Sequence, residues 1–158
     1  MRVIGVDPGI VVTGFGIIDK KNNNIVAHSY GTVKPPKSMC LSDRLGYLYD
    51  EISLLLDKYK PNVLAVEDTF YSKNFKSAML LGQARGAIML AGYCANISCI
   101  EFSPKKIKKS VVGNGNASKE QVQYMVKNIL QLDQLPSPFD SSDALAIGLC
   151  YLNQNSME

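Results

Sequence analysis

The fold is decided by the first nine residues, Met1-Arg-Val-Ile-Gly-Val-Asp7-Pro-Gly9. Branched apolar residues favour a central β-strand, whereas Pro8 and Gly9 cannot continue one, because proline lacks a backbone donor and glycine allows a tight exit. The pattern therefore predicts a strand that ends on the carboxylate of Asp7. A carboxylate in that position lies at the edge of a sheet, where a functional site can begin.

Composition indicates an ordinary globular domain. The chain has 158 residues, of which 46% are hydrophobic and 20% are charged, and no apolar run reaches membrane-spanning length. We expect residues 1–158 to form a single domain. The four cysteines show no C-x-x-C pair, so the sequence indicates neither a zinc site nor a disulfide framework, and a reducing cytoplasm fits best.

Positive charge is concentrated between residues 69 and 119. This segment contains eight basic residues against Glu101 alone, whereas the rest of the chain is net negative. Such a distribution is typical of a protein that binds a polyanion, although lysines on helix surfaces often serve only to keep a protein solvated. The basic residues are Lys73, Lys76, Arg85, Lys105, Lys106, Lys108, Lys109 and Lys119.

Two further strands follow the first, over residues 10–18 and 25–30, with turn residues between them. The short connections predict an antiparallel meander. Gly14 and Gly16 leave one face of the second strand bare, so that a backbone or a ligand can approach Asp7. His28, the only histidine, has no acidic or cysteine neighbour in the sequence, and we interpret it as structural.

The next two elements repeat the pattern of a strand that ends on an acid. Apolar residues recur every three or four positions between Leu41 and Tyr59, which predicts an amphipathic helix. The strand predicted over residues 63–67 is apolar throughout and finishes on Glu67. A strand reached through a helical crossover usually lies parallel in the same sheet, so Asp7 and Glu67 emerge at one edge if the two strands are neighbours.

A helix predicted over residues 77–95 is apolar on nearly every side, which indicates that it is buried all round. It offers more apolar surface than one small sheet needs to cover, and its glycines would allow two copies to approach closely. These features predict a two-fold symmetric homodimer. A strand over residues 97–102 and a helix from Lys119, capped by Ser118 and Gln121, follow.

The last predicted helix begins near Ser137 and carries Asp140 and Asp143 on one face of its first turn. With Asp7 and Glu67, four acids thus occupy the ends of elements. Oxygen ligands without histidine or thiolate select Mg²⁺ or Mn²⁺, and paired ions about 3.5–4 Å apart promote phosphodiester cleavage. Together with the basic segment, the acids indicate a nuclease.

Five segments, in this order and spacing, resemble the RuvC family of Holliday junction resolvases: DPGIVVTGFG, VEDTFYSKN, LGQARG, VVGNGNASKEQV and DSSDALAIGLC. The resemblance implies an α/β, ribonuclease H-like fold with a mixed five-stranded sheet flanked by helices. It also implies a homodimer that nicks two strands of four-way junction DNA symmetrically, with two Mg²⁺ ions per subunit that Mn²⁺ can replace. Branch-migration motor proteins are expected partners, and a membrane is not.

The resemblance also assigns roles to individual positions. Asp7, Glu67, Asp140 and Asp143 match the catalytic, metal-binding acids. Lys108 and Lys119 match basic residues near the scissile strand, and Phe70 matches the aromatic at the junction centre. The other basic residues of the segment, which we expect to bind DNA, are Lys73, Lys76, Arg85, Lys105, Lys106 and Lys109.

Three other functions share part of this pattern. A relative that acts on RNA could share the same acids. Actin-like ATP-binding proteins share the meander and a similar first motif, but they need a second lobe that 158 residues cannot supply. A non-catalytic nucleic-acid module would keep the lysines but would have no use for four converging acids.

Overall fold

The computed structural model describes residues 1–22, 24–68 and 74–154. Its sheet has five strands in the order β3-β2-β1-β4-β5. The first three strands are antiparallel neighbours, and β4 and β5 run parallel to β1, so the expected mixed sheet and its opening meander are confirmed. The strands are β1 (Arg2–Asp7), β2 (Thr13–Lys21), β3 (Asn24–Val33), β4 (Val63–Glu67) and β5 (Ser98–Phe102).

Most of the helices begin at side chains that satisfy free backbone N–H groups. Asn74 accepts from the amides of Lys76 and Ser77, and Ser118 forms the predicted capping box with Gln121. None of the helices in the described part of the chain is both long and apolar enough to cross a membrane. The helices are α1 (Leu41–Tyr59), α2 (Phe75–Cys94), α3 (Pro104–Val112), α4 (Lys119–Ile129) and α5 (Phe139–Gln154).

The sheet separates two apolar layers, because successive side chains of a strand point to opposite faces. Val3 of β1 and Ala65 of β4 belong to the core that contains α3, α4 and α5. Ile4 and Val66 belong to the other core, which contains α1 and α2. The odd-numbered residues of β1 and β4 therefore face α3, α4 and α5, and the even-numbered residues face α1 and α2.

Glycines allow α5 to lie directly on the sheet. A Cβ atom on Gly5 would collide with the backbone of Ala144, and one on Gly14 would collide with the backbone of Asp140. The backbone of α5 thus packs on the bare face that the sequence predicts for β2. This contact brings the first turn of α5 close to the end of β1.

One helix was not predicted, and one expectation about a helix was wrong. No secondary structure was assigned from the sequence to the lysine-rich stretch after β5, which forms α3, is capped by Ser103 and buries Ile107 and Val111. The helix α2 is not buried on all sides: it buries Ala84, Ile88, Ala91 and Gly92. Its Phe75 and Tyr93 are 80% and 77% exposed, because the sheet can cover only one side of a helix.

The structure gives His28 an acidic neighbour that the sequence did not show. Its Nε2 atom lies 2.7 Å from Oδ2 of Asp19, across the β2–β3 pair. Arg2 of β1 binds the same carboxylate through two N–H groups, at 2.8 and 2.9 Å. This cluster lies at the opposite end of β1 from Asp7, in agreement with a structural role for His28.

Candidate active site

Strand register brings Asp7 and Glu67 together. In the parallel pair of β1 and β4, Val6 is opposite Val66, so the next residue of each strand is an acid at the same edge of the sheet. By the alternation of side chains, both carboxylates lie on the face covered by α3, α4 and α5. The neighbouring position expected for the two strands is confirmed.

Three helices complete a cleft around these two acids. The cleft has a volume of about 210 Å³, and α5 contributes Asp143 to it. Lys108 of α3 and Lys119 of α4 line the same cleft, so two cations face three carboxylates. Its apolar wall consists of Pro104, Ile107, Val122 and Ile147.

Sequence reasoning missed this apolar wall, although a signal for it exists. Ile107 and Val111 are four residues apart, and so are Val122 and Val126, and all four are buried. The spacing places each pair on one side of a helix, turned towards the core. In α3 this periodicity was obscured by the surrounding lysines.

Asp140 occupies a different position from the other three acids. It is not among the residues that line the cleft but lines a separate groove with Gly9 and Ile10. Its negative charge nevertheless acts on Asp7 and Asp143. Three of the four predicted acids therefore share one cleft, and the fourth lies beside it.

Burial and crowding make the acids of the cleft reluctant to ionise. Burial and the negative charges of Glu67 and Asp143 raise the pKa of Asp7 to about 8. The pKa of Glu67 is raised to about 7, by burial first and then by the charge of Asp143. The protein itself thus leaves part of this negative charge uncompensated.

The positive charge of Lys119 partly compensates the negative charge of Asp143 in the cleft. Its Nζ atom lies 3.5 Å from Oδ2 of Asp143, and its side chain remains 63% exposed. Burial raises the pKa of Asp143, and the Lys119 charge and hydrogen bond oppose this rise. For Lys119 itself, partial burial lowers the pKa, but the charge of Asp143 and the hydrogen bond to it outweigh burial, so that its pKa is raised.

The chemistry of the cleft suits a hard divalent cation. Carboxylate oxygens are the ligands that Mg²⁺ and Mn²⁺ prefer, and a cation would offset both the burial and the repulsion that raise the pKa values of Asp7 and Glu67. Within the described ranges, no three His, Cys, Asp or Glu side chains are already gathered in a geometry that would hold an ion. The donor set therefore fits a metal, and small side-chain movements would be needed to bind it.

The other predicted DNA-binding residues fall into three groups. Lys105, Lys106 and Lys109 are exposed on α3, next to the cleft, and Lys76 is exposed in the first turn of α2. Arg85 differs from them, because its guanidinium is paired with the carboxylates of Asp68 and Glu101. Phe70 and Lys73 lie outside the described residues.

The fold and the cleft together define a class of protein, the nucleases of ribonuclease H-like fold. The model of the family "Crossover junction endodeoxyribonuclease RuvC" matches residues 3–151. The chain belongs to this family, as the resemblance of its motifs implied.

Similar proteins agree with this assignment. The chain is 45% identical over 150 residues to the crossover junction endodeoxyribonuclease RuvC of Chloroherpeton thalassium, which covers 95% of this chain and 81% of that relative. It is 43% identical to the enzyme of Caldicellulosiruptor saccharolyticus, with coverage of 99% and 95%. Among solved structures, T. thermophilus RuvC in complex with Holliday junction substrate superposes with a TM-score of 0.94 at 31% identity, covering 99% of this chain and 96% of that one.

Proposed function

We propose that the cleft between β1, β4 and α5 is the site at which this chain cuts the strands of four-way junction DNA during recombination and repair. The observation that carries the proposal is the convergence of Asp7, Glu67 and Asp143 with Lys108 and Lys119 in one cleft. Membership of the RuvC family supplies the class of reaction, endonucleolytic hydrolysis of DNA. Residues 1–158 act in this proposal as a single nuclease domain.

The proposed cofactor is Mg²⁺, two ions per subunit, with Mn²⁺ as a substitute. Asp7, Glu67, Asp140 and Asp143 are the proposed ligands, and the uncompensated negative charge of the cleft supports this choice. Such a pair of ions, when bound, supplies water activation and stabilisation of the leaving oxygen. Asp140 would join the set through rearrangement of its side chain, because its carboxylate now adjoins a neighbouring groove.

The two lysines of the cleft have complementary tasks in this proposal. Lys119 holds Asp143 in orientation through the 3.5 Å ion pair and keeps most of its side chain exposed for contact with substrate. Lys108 lines the same cleft and is only partly exposed. Both ammonium groups would stabilise the negative charge that develops on the scissile phosphate.

The remaining basic residues would bind the backbone of the junction. Lys105, Lys106 and Lys109 are exposed on α3, beside the cleft, where they can reach phosphates. Lys73 and Lys76 would contribute from the segment before α2 and from its first turn. Phe70 is proposed to stack on bases at the junction centre, an interaction worth roughly 1 to 3 kcal/mol per base.

The exposed side of α2 supports a homodimer. Phe75, Met79, Leu90 and Tyr93 form a largely exposed apolar row, and the positions of Gly82 and Gly86 have open space around them. A two-fold contact along this helix would present two clefts to the two strands that are nicked. We further propose a cytoplasmic location and cooperation with branch-migration motors, on the basis of family membership alone.

A panel of substrates tests the proposed function. Four-way DNA junctions, linear duplex DNA and RNA–DNA hybrids are incubated with the purified protein and Mg²⁺, and nicks are mapped at nucleotide resolution. We expect paired, symmetric nicks in the junction and little cutting of the duplex. Preferential cutting of the hybrid would instead assign the same cleft to RNA. Sedimentation equilibrium on the same sample should give twice the monomer mass of 17.3 kDa.

A further inference from the structure

Arg85 of α2 pairs with acids at the ends of two strands, on the face of the sheet away from the cleft. Its Nη2 atom forms an ion pair with Glu101 of β5 and lies 3.6 Å from Oδ1 of Asp68, the residue that follows Glu67. The Arg85 side chain is only 23% exposed. Its single positive charge faces two carboxylates, which leaves little net attraction for a phosphate.

Strand geometry explains why both acids meet Arg85. Glu101 is opposite Val66 in the parallel pair of β4 and β5, so its side chain shares the face of Val66, which packs with α1 and α2. Asp68 follows Glu67, whose side chain points to the opposite face, and the Asp68 amide donates to the carbonyl of Phe102 at 2.8 Å. The guanidinium therefore bridges the carboxyl ends of β4 and β5 on the side away from the cleft.

The same contact holds both flanks of the segment that carries Phe70. Residues 69–73 connect Asp68, at the end of β4, to Asn74, which caps α2. Because Arg85 belongs to α2 and pairs with Asp68, it ties the two flanks to each other. Both carboxylates face the same atom, Nη2, and the rigid planar guanidinium holds that atom in place between them more firmly than the flexible side chain of a lysine would.

We infer that Arg85 is a positioning residue for strand cleavage, and that it does not bind the DNA backbone as its charge had suggested. It fixes the end of β4 so that Glu67 stays directed into the cleft, and it fixes the flanks of residues 69–73. The inference rests on the proposed function for its effect on cutting. The contact itself can be tested without DNA.

The first test replaces Arg85 with lysine or with methionine. Arg85→Lys keeps the charge, which suffices for phosphate binding, but loses the rigid planar group that holds Nη2 between the two carboxylates. We expect the single-turnover rate at saturating junction to fall about 10-fold for lysine and up to about 100-fold for methionine, the range for small misplacement of reacting groups. The slope of log K against log salt should stay unchanged in both variants, because no phosphate contact is lost.

The second test uses Glu101→Gln, for which the two roles predict opposite results. If Arg85 positions Glu67, removal of its partner lowers the saturating rate and leaves the salt slope unchanged. If Arg85 binds phosphate, the same change frees the guanidinium, and the salt slope becomes steeper by about 0.9 with the rate retained. Lys58→Met is the matched control, since it removes one exposed charge from α1 and should alter neither quantity.

Hydrogen exchange of the Asp68 amide provides a measurement that does not depend on activity. We expect its protection, conferred by the bond to Phe102, to fall at least 10-fold in Arg85→Lys and in Glu101→Gln but not in Lys58→Met. Unchanged protection, or a salt slope reduced by about 0.9 in Arg85→Met with an unchanged rate, would overturn the inference. A wild-type protein that cuts no junction would contradict the proposed function and leave the exchange result standing.

Discussion

Asp7 and Asp19 lie at opposite ends of the β1–β2 pair, and their surroundings shift their acidities in opposite directions. At one end, burial and three further acids raise the pKa of Asp7 to about 8. At the other end, the hydrogen bonds of Arg2 lower the pKa of Asp19 to about 2, with a smaller contribution from His28. The paired carboxylate stabilises the fold, whereas the crowded one reduces stability in favour of a site for a cation.

The largest effect is expected for Asp7→Asn, which keeps the shape of the side chain and removes its charge. Cutting of four-way junctions in Mg²⁺ should fall by about 10³-fold, because a proposed metal ligand is lost. Thermal stability should be unchanged or higher, since repulsion from Glu67 and Asp143 decreases. Gel-based nicking and a thermal melt measure the two quantities. Normal turnover would refute the assignment of the cleft.

Lys119→Ala tests whether the positive charge beside Asp143 serves catalysis. The single-turnover rate at saturating junction should fall by about 100-fold, because a charge that stabilises the developing phosphate charge is lost. Lys127→Ala, on the same helix, is the control. If the rate at saturation were retained and only affinity changed, Lys119 would be a binding residue.

Asp19→Asn is the equivalent change at the other end of β1. The side chain of Asp19 is 8% exposed, so its loss leaves the guanidinium of Arg2 with weaker bonds in a partly buried place. We expect the free energy of unfolding to fall by roughly 1 to 3 kcal/mol and the rate of junction cutting to stay the same. Urea unfolding measures the stability, and the nicking assay measures the rate. A loss of cutting as large as the loss of stability would contradict a purely structural role for the Asp19 end of β1.

The pH dependence of stability should carry the signature of Asp19. A carboxyl group with a lowered pKa in the folded state stabilises the fold above its unfolded pKa and loses that contribution as the pH falls towards 2. Wild-type protein should therefore lose on the order of 2 kcal/mol between about pH 5 and pH 2 that Asp19→Asn does not lose. Urea midpoints at several pH values measure it. Parallel curves for the two proteins would contradict the role of Asp19.

The smallest effect is expected for the exposed lysines of α3, which belong neither to the Asp7 end of β1 nor to its Asp19 end. Replacing Lys105, Lys106 or Lys109 with alanine should each make the slope of log K against log salt shallower by about 0.9 on duplex arms. The saturating rate should not change. Fluorescence titrations at several salt concentrations give the slopes, and an unchanged slope would exclude a phosphate contact for the residue concerned.

The parts of the fold that the sequence predicted correctly are those in which local chemistry and periodicity agree. β1 and β4 could be located because each is a short apolar run that ends on an acid, and the crossover between them predicted their parallel pairing. The helix α3 was missed although Ser103, Pro104 and the spacing of Ile107 and Val111 all indicated it. The lysines of this stretch dominate its composition and obscure the apolar periodicity of Ile107 and Val111.

Features that depend on partners distant in the chain could not be predicted. Hydrophobicity showed that α2 has surplus apolar surface but not which of its sides faces the sheet, so the residues of its exposed row could not be named. The charge of Arg85 suggested DNA, because nothing in the sequence places Asp68 and Glu101 within its reach. In the same way, Asp19 and His28 meet only after β2 and β3 have paired.

The docking of α5 onto the glycines of β1 and β2 has a consequence for the timing of activity during biosynthesis. A nascent chain that has reached residue 130 contains Asp7, Glu67, Lys108 and Lys119, but it has no helix to supply Asp143. Because the chain is made from its N-terminus onwards, Asp7, Glu67, Lys108 and Lys119 are all synthesised before the helix that carries Asp143. Incomplete or truncated chains should therefore be unable to cut DNA, which limits the damage that an aborted translation product could cause.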